Sequence, residues 1–269
     1  MGPMTTAVAV VAARNESVHI RRCLRDLIAE GIDVILLDHD STDDTVAKAK
    51  EFLGKGLLSI ERFPWAGVYP LAELLKAKHS IMQSVPHDWV MHGDADEWPC
   101  APAEGMRLID GIAAADRAGF NCINFNEFVF IPVDGRSHCH EDYSSELLSY
   151  YFFRPVPTPR LMRAWKRESG LGNLGSGGHL LSGGDLRLCD ETFILRHYIA
   201  LGSDHARAKY LTRPYSKEAL AMGWHFNRVN LKPEALEIRP CDRMQRLPHS
   251  RSKAFRTDLP VAKHFWQWS

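Results

Sequence analysis

Several features that would assign a chain to a special class are absent from this sequence. The six cysteines are far apart and form no CxxC pair, so neither a zinc site nor a disulfide framework is indicated. No apolar run approaches the roughly 20 residues that a transmembrane helix requires, and no basic segment precedes a cleavable apolar stretch at the N-terminus. These absences predict a cytoplasmic protein.

The chain also lacks net charge, because 33 Lys and Arg residues balance 33 Asp and Glu residues. This balance gives no reason to expect nucleic-acid binding. The charge is uneven, however: residues 239–269 contain seven basic and two acidic residues and end in Phe265-Trp266-Gln267-Trp268. We expect them to form an extension of a domain spanning residues 4–238. A solvated tail and a peripheral contact with phosphates or the inner face of an anionic membrane are both open.

The hydrophobic residues, 45% of the chain, follow an alternating strand and helix pattern in the first half. Apolar runs typical of buried strands recur at residues 7–13, 34–37, 57–63 and 89–92. Helical patterns begin at about residue 17, with Asn15 as the expected cap, and cover 41 to about 52 and 71–82. This order predicts an α/β fold with a mostly parallel central sheet flanked by helices, in a single domain.

Polar and acidic residues collect where these predicted strands end. They are Arg14, Asn15 and Glu16 after the first strand, Asp38 and Asp40 after the second, and Asp94, Asp96 and Glu97 after the fourth. Ligands of open α/β sheets bind at the carboxyl ends of strands. Three strand ends therefore point to one crevice.

The second half is less regular. Residues 120–131 are expected to form a strand, and residues 170–184 are rich in glycine. The segment 170–175 matches GxGxxG, but charged residues precede it instead of a strand and no helix follows, so a dinucleotide site is rejected. We expect a loop there, which either closes over a substrate or only connects two elements.

Asp94 and Asp96 form the strongest candidate for chemistry. Residues i and i+2 of an extended segment face the same side, so both carboxylates can bind one hard cation. Such a cation would leave positions open for a substrate diphosphate and would neutralise its developing charge. A second D-x-D, Asp38-His39-Asp40, lacks the place at the fourth strand end.

Three motifs follow one another along the first hundred residues: Val10-Val11-Ala12-Ala13-Arg14-Asn15-Glu16, Leu36-Leu37-Asp38-His39-Asp40-Ser41-Thr42-Asp43, and Asp88-Trp89-Val90-Met91-His92-Gly93-Asp94-Ala95-Asp96-Glu97-Trp98. In this order they resemble the motifs of family 2-like glycosyltransferases with the GT-A fold. The chain is most similar to the branch with a D-x-D-E-aromatic motif and a later His-Tyr pair, which is His197-Tyr198 here.

The resemblance implies a role for each matching position. Ala12, Arg14, Asn15 and Glu16 would line the nucleotide pocket, Asp38 would contact the base, and Lys209 would pair with the diphosphate. Asp94 would reach the ribose and the metal, Asp96 would be the firm metal ligand, and His197 would be the third. Two carboxylates with an imidazole suit Mn²⁺ better than Mg²⁺. A core histidine and a solvated lysine are the alternatives for His197 and Lys209.

The sequence departs from the family pattern where the catalytic base is usually found. His179 and Glu127 are our candidates for this base, with Glu141 and Asp142 as alternatives. Arg14 stands where tyrosine is common, which suggests a cationic contact with the base of the nucleotide. An inverting reaction is implied by the resemblance alone. Trp65, Trp98 and Trp165 are either sugar-stacking or core residues.

Taken together, these features predict a metal-dependent glycosyltransferase of the hexosyltransferase type. It would move a sugar from a UDP-linked donor to a hydroxyl of a glycan or lipid-linked acceptor. Two alternatives stay open. A nucleotidyltransferase that makes nucleotide-sugars usually has a glycine-rich loop after the first strand, which Ala12 to Glu16 lack. A non-catalytic nucleotide- or carbohydrate-binding protein of the same fold would bind the donor without turnover.

Overall fold

The first predicted strand lies inside a parallel sheet in the computed structural model, which describes residues 4–268 except for the side chain of Phe226. The four N-terminal strands are β1 (Ala7–Ala13), β2 (Asp33–Asp38), β3 (Leu57–Arg62) and β4 (Trp89–Asp94). The pairings among these four strands are all parallel, and the strands lie in the spatial order β3-β2-β1-β4. Their carboxyl ends therefore lie along one edge of the sheet, as expected.

Both faces of β1 are buried, which explains its uninterrupted apolar sequence. Ala9 and Val11 pack in one core cluster, on the side of α1 (Ile20–Ala29). Val8 and Val10 pack in another cluster, with Met82 of α3 (Leu71–Ser84). A strand covered by helices on both faces needs apolar side chains at every position rather than at alternate ones.

The helix starts differ from the prediction. α1 begins at Ile20, and Asn15 does not cap it: Asn15 has a φ of 55° and its side-chain oxygen accepts a hydrogen bond from the Thr42 amide at 2.8 Å. The second helix begins later than expected: α2 covers Thr45–Ala49, and a 3₁₀ turn continues it over Lys50–Phe52, where the predicted helix ends. Its first backbone amide, that of Thr45, donates to the Asp43 carboxylate at 2.9 Å, so Asp43 satisfies an amide that has no partner within the helix.

The part of the chain after β4, called the second half below, adds further strands to the sheet. They are β5 (Glu97–Cys100), β6 (Cys122–Phe130), β7 (Ser149–Phe153), β8 (Met162–Lys166), β9 (Phe193–His197), β10 (Gln245–Arg246) and β11 (Pro260–Val261). The remaining helices are α4 (Leu108–Arg117), α5 (Tyr143–Glu146), α6 (Ser203–Leu211) and α7 (Lys217–Ala221).

These later strands bring antiparallel pairing into the sheet. β8 lies between β4 and β6 and is antiparallel to both, while β9 is parallel to β6 and antiparallel to β5. Every antiparallel pairing thus involves a strand from the second half. The prediction of an α/β fold with a mostly parallel central sheet flanked by helices is confirmed.

The C-terminal residues pack onto this sheet. β10 and β11 both pair with β7. The side chain of Trp266 is 4% exposed, its ring lies 4.9 Å from that of Tyr210, and His264 is hydrogen-bonded to the Tyr151 hydroxyl at 2.9 Å. Phe265 and Trp266 are therefore core residues, and a membrane contact would have mainly the basic side chains of this segment to use. The domain boundary at residue 238 stays a prediction.

Among the helices of residues 4–268, none combines the length and the apolar character that crossing a bilayer requires.

Replacing Trp266 by alanine should lower the free energy of unfolding by about 3–5 kcal/mol, because a large buried ring would leave a cavity. Urea denaturation measures this loss. Met222→Ala is the matched control, because Met222 is 57% exposed and its truncation should leave stability nearly unchanged. Equal, small effects of both substitutions would contradict the packing of the C-terminal segment.

Candidate active site

A cavity of about 900 Å³ opens at the carboxyl ends of β1 and β4. Most residues predicted for the site line it: Ala12, Arg14, Asn15, Glu16, Asp94, Asp96, Glu127, His179, His197 and Lys209. Asp38 is the exception among them. Its buried carboxylate accepts a hydrogen bond from the Ser41 amide at 3.1 Å, and its neighbour His39 reaches the cavity instead.

Asp96 joins three parts of the chain that are distant in sequence. Its Oδ2 atom lies 3.3 Å from Nε2 of His197, at the end of β9, and 2.5 Å from Nζ of Lys209, on α6. The side chain is 11% exposed. Burial alone would raise the pKa of Asp96, but Lys209 and His197 hold it well below its usual range. Asp96 is therefore an ionised carboxylate at the cavity wall.

Asp94 faces two cations, Lys78 and Arg163, and the neutral ring of His92, whose pKa burial lowers to about 3. Its Oδ1 lies 3.5 Å from Nζ of Lys78 and 3.6 Å from Nε2 of His92, and its Oδ2 lies 3.4 Å from Nη2 of Arg163. Against the effect of burial, Lys78 and His92 hold the pKa of Asp94 well below its usual range. Arg163 also donates to Glu97, whose carboxylate is 4% exposed and whose pKa burial raises to about 7. Carboxylates and cations thus alternate across the floor of the cavity.

Glu127 is occupied at both oxygens. Oε1 accepts from Nδ1 of His197 at 2.7 Å and Oε2 accepts from Nη2 of Arg160 at 2.6 Å. Burial opposes ionisation of Glu127, but Arg160 and His197 lower its pKa far below the usual range. Burial would also lower the pKa of His197, yet Asp96 and Glu127 raise it well above its usual value. Glu127 is therefore placed to orient His197 and is a weak proton acceptor.

His179 reaches the cavity from the glycine-rich loop. Burial lowers the pKa of His179 well below its usual value, and the positive charges of Arg160 and Arg163 lower it further. The imidazole at the cavity is therefore neutral. The loop is paired with itself through two backbone hydrogen bonds between Gly172 and Ser182. Gly178 has a φ of 88°, and a Cβ there would lie 3.1 Å from the His92 ring, so this position requires glycine.

The alternative bases lie elsewhere. Glu141 pairs with Arg21 at 2.5 Å and with Lys48 at 3.0 Å, and its side chain is 45% exposed. Neither Glu141 nor Asp142 is among the described residues that line the cavity. Both residues are exposed, so they belong to the surface rather than to the site.

The other wall of the cavity carries an aromatic platform. The guanidinium carbon of Arg14 lies 3.9 Å from the ring centroid of Trp65, and the rings of His39 and Trp65 meet edge to face at 4.9 Å. All three side chains line the cavity. Trp98 and Trp165 are 8% and 0% exposed, so they belong to the core.

Several cations of the site were not predicted from the sequence. Lys78, Arg160, Arg163, Arg213 and Arg228 all line the cavity. Arg163 left a trace in the sequence, because it is a charged residue between apolar neighbours of a buried strand. A buried charge of this kind requires a partner, and here the partners are Asp94 and Glu97.

Arg163→Met should lower the free energy of unfolding by about 3 kcal/mol or more, because Glu97 would stay buried without its partner. Urea denaturation at neutral pH is the measurement. Arg256→Met removes a surface pair with Asp258 and should leave stability nearly unchanged. If both variants unfolded at the wild-type urea concentration, the buried ion pair would not stabilise the site.

The comparisons with known proteins follow the same part of the chain. Residues 8–99 match the family model described as glycosyl transferase family 2, which is about a third of the chain. An uncharacterised glycosyltransferase of Rickettsia conorii is 32% identical over 90 residues, which cover 33% of this chain and 28% of that protein. The predicted resemblance to family 2 glycosyltransferases is confirmed over this segment.

Two solved structures are similar over a larger part of the chain. The S. aureus TarS 1–349 structure in complex with UDP has a TM-score of 0.42 at 12% identity, covering 87% of this chain and 76% of that one. Glucosyl-3-phosphoglycerate synthase from Mycobacterium tuberculosis, in complex with Mn²⁺, UDP and glucosyl-3-phosphoglycerate, has a TM-score of 0.36 at 16% identity, covering 65% and 63%. The chain spans 41% of a longer TarS chain. Similarities at this level carry no argument about function.

Proposed function

We propose that this protein is a metal-dependent glycosyltransferase that transfers a sugar from a UDP-linked donor to an acceptor hydroxyl. The observation that carries the proposal is the meeting of Asp96, His197 and Lys209 at one cavity wall. His197 and Lys209 come 101 and 113 positions after Asp96 in the chain. The same cavity is lined by Ala12 to Glu16 and by Asp94, which lie within the segment that matches the family 2 model.

The donor chemistry of the cavity suits a divalent cation, but the ligand atoms of Asp94, Asp96 and His197 do not all lie within 4.8 Å of one another, so these side chains would have to move to share one ion. Asp94, Asp96 and His197 offer two carboxylates and an imidazole, a donor set that suits Mn²⁺ or Mg²⁺. Glu127 fixes the orientation of the His197 ring through Nδ1 and leaves Nε2 directed at Asp96. When bound, the cation would neutralise the negative charge that develops on the leaving diphosphate.

The other residues of the cavity would hold the donor. Lys209 and Arg163 each contact a carboxylate of the D-x-D pair, so both are placed to share their charge with a diphosphate. The Arg14–Trp65 platform offers a flat cationic and aromatic surface to the nucleotide base. Asp38 would act on the base only through His39, whose turn it stabilises.

The proton of the acceptor hydroxyl needs a neutral base near the sugar. His179 is the predicted base that keeps this role, because its ring lines the cavity whereas both oxygens of Glu127 are engaged; its lowered pKa makes His179 a weak base as well. Glu127 is reassigned from base to positioning residue. The identity of the acceptor as a glycan or lipid-linked alcohol, and an inverting course of the reaction, rest on the resemblance.

Asp96→Asn should reduce Mn²⁺-dependent release of UDP from a UDP-sugar by more than about 100-fold, because an amide is a poor ligand for a hard cation. UDP with Mn²⁺ should raise the Tm of the wild type more than either alone, and this gain should vanish in the variant. Asp185→Asn is the control, because this side chain is 88% exposed. Full turnover in excess chelator would contradict the metal requirement, and Mn²⁺-dependent UDP binding without turnover would indicate a binding protein.

Glu127→Gln separates the two roles considered for this residue. As a positioning residue, it should weaken Mn²⁺ binding by about 10–100-fold, because Gln no longer accepts from His197 with a full charge. Nucleotide affinity without metal should not change. Isothermal titration of Mn²⁺ and of UDP measures both quantities. A large loss of kcat with unchanged Mn²⁺ affinity would instead identify Glu127 as the base.

A further inference from the structure

A second cluster of metal-ligating side chains lies away from the cavity, in the connection between β6 and β7. It consists of His138 and His140 on the loop after β6 and Glu146 at the end of α5, and one ligand atom of each lies within 4.8 Å of the others. Within residues 4–268, it is the one group of three or more such side chains that meets this distance. None of the three lines the cavity described above.

Two of the three distances between the ligand atoms match those of a coordination shell. Nδ1 of His138 lies 3.1 Å from Oε2 of Glu146, and Nε2 of His140 lies 3.4 Å from the same oxygen. A tetrahedral zinc ion with bonds of about 2.0–2.1 Å has ligand atoms about 3.3 Å apart. Two edges of the cluster therefore already match such a tetrahedron, and a fourth position would be left for water.

His138 is also oriented as a metal ligand. Its side chain is 4% exposed, and its Nε2 lies 3.1 Å from Oδ2 of Asp134, which also accepts from Arg136 at 2.8 Å. Metal-bound histidines typically donate their other N–H to a carboxylate in this way. With Nε2 directed at Asp134, Nδ1 is the ring atom that can bind a cation, and it faces the Glu146 carboxylate at 3.1 Å.

We propose that His138, His140 and Glu146 bind a zinc-like divalent cation, with Asp134 holding the His138 ring. The site is separate from the Asp94–Asp96 pair and does not depend on the proposed transferase activity. Its donor set, two imidazoles and one carboxylate, is the type that zinc accepts. The carboxylate-rich Asp94 site favours Mn²⁺ or Mg²⁺ instead, so one protein would carry two sites of different selectivity.

The position of the cluster points to a structural role. α5 carries both Glu146 and Tyr143, and the Tyr143 hydroxyl accepts a hydrogen bond from Nε of Arg22 at 2.6 Å. Arg22 in turn donates to the backbone oxygens of Ala95 and Glu97 at 2.8 and 3.0 Å. A cation that ties α5 to the loop would therefore stabilise the support of the Asp94–Asp96 turn.

The test is a titration of the full chain with Zn²⁺ alone. Asp96→Asn serves as the background, so that zinc binding at the cavity is weakened. We expect one zinc ion per chain, with a Kd that rises at least about 10-fold on adding His140→Ala and about 10–100-fold on adding Asp134→Asn. Zn²⁺ should also raise the Tm, and His140→Ala should abolish this rise. His140 is exposed, so its truncation should not unfold the protein.

His249→Ala in the same background is the matched control, because it removes another exposed histidine. It should bind zinc with the affinity of its parent. Equal zinc affinity and equal Tm shifts in the parent, the His140→Ala variant and this control would overturn the proposal. So would a parent that takes up no zinc at micromolar concentrations.

Discussion

The site depends on one buried guanidinium. Arg22 of α1 is 1% exposed and lies directly beneath the turn between β4 and β5, where its Nη2 binds the backbone oxygens of Ala95 and Glu97. The amide of Tyr198 donates to the backbone oxygen of Asp96 at 2.9 Å from the other side. A turn whose carbonyls are all engaged cannot easily change its path, so Asp94 and Asp96 are held at the cavity by backbone contacts rather than by their own carboxylates.

This backbone support leaves the charges of the site free to respond to a ligand. Asp94 contacts Lys78 and Arg163, while Asp96 contacts Lys209 and His197. Each carboxylate is thus neutralised by cations that could equally neutralise a diphosphate. In a cavity of low dielectric constant, such pre-arranged charges act more strongly than they would in water and need little rearrangement.

The first half of the fold could be predicted because its information is local. The apolar run of β1 and the acidic residues after β4 are contiguous in sequence, and the rule that strand ends carry the site assigned Asp94 and Asp96 to the cavity. The start of α1 was less predictable, since the side chain of Asn15 accepts a hydrogen bond from Thr42, which is 27 residues away, instead of capping the helix. A cap depends on which donor is nearest in space, and sequence spacing does not determine this.

The role of Glu127 could not be predicted for the same reason. β6 is parallel to β9, and this pairing brings Glu127 beside His197, which comes 70 residues later. Arg160, 33 residues after Glu127, reaches the other carboxylate oxygen from the segment before β8. From the sequence, a carboxylate in a strand near the site is a reasonable base. Only the tertiary contacts reveal that both oxygens are engaged and that proton affinity is therefore low.

His197 and His138, which belong to two different clusters, have the same arrangement of neighbours. Each ring has a carboxylate at both nitrogens: Glu127 and Asp96 flank His197 at 2.7 and 3.3 Å, and Glu146 and Asp134 flank His138, both at 3.1 Å. A neutral imidazole can satisfy one such carboxylate with its single N–H, so the second contact needs an additional positive charge. At His197 a proton can supply this charge, because Asp96 and Glu127 raise the pKa of the ring well above its usual value. The surroundings of the two rings differ. Lys209 contacts Asp96, so the His197 ring lies in a place suited to an anionic substrate and a hard cation. Near the His138 ring, the additional neighbour of Glu146 is His140. This second ring lies in a place suited to a cation alone, which is why we assign it to structure rather than to catalysis.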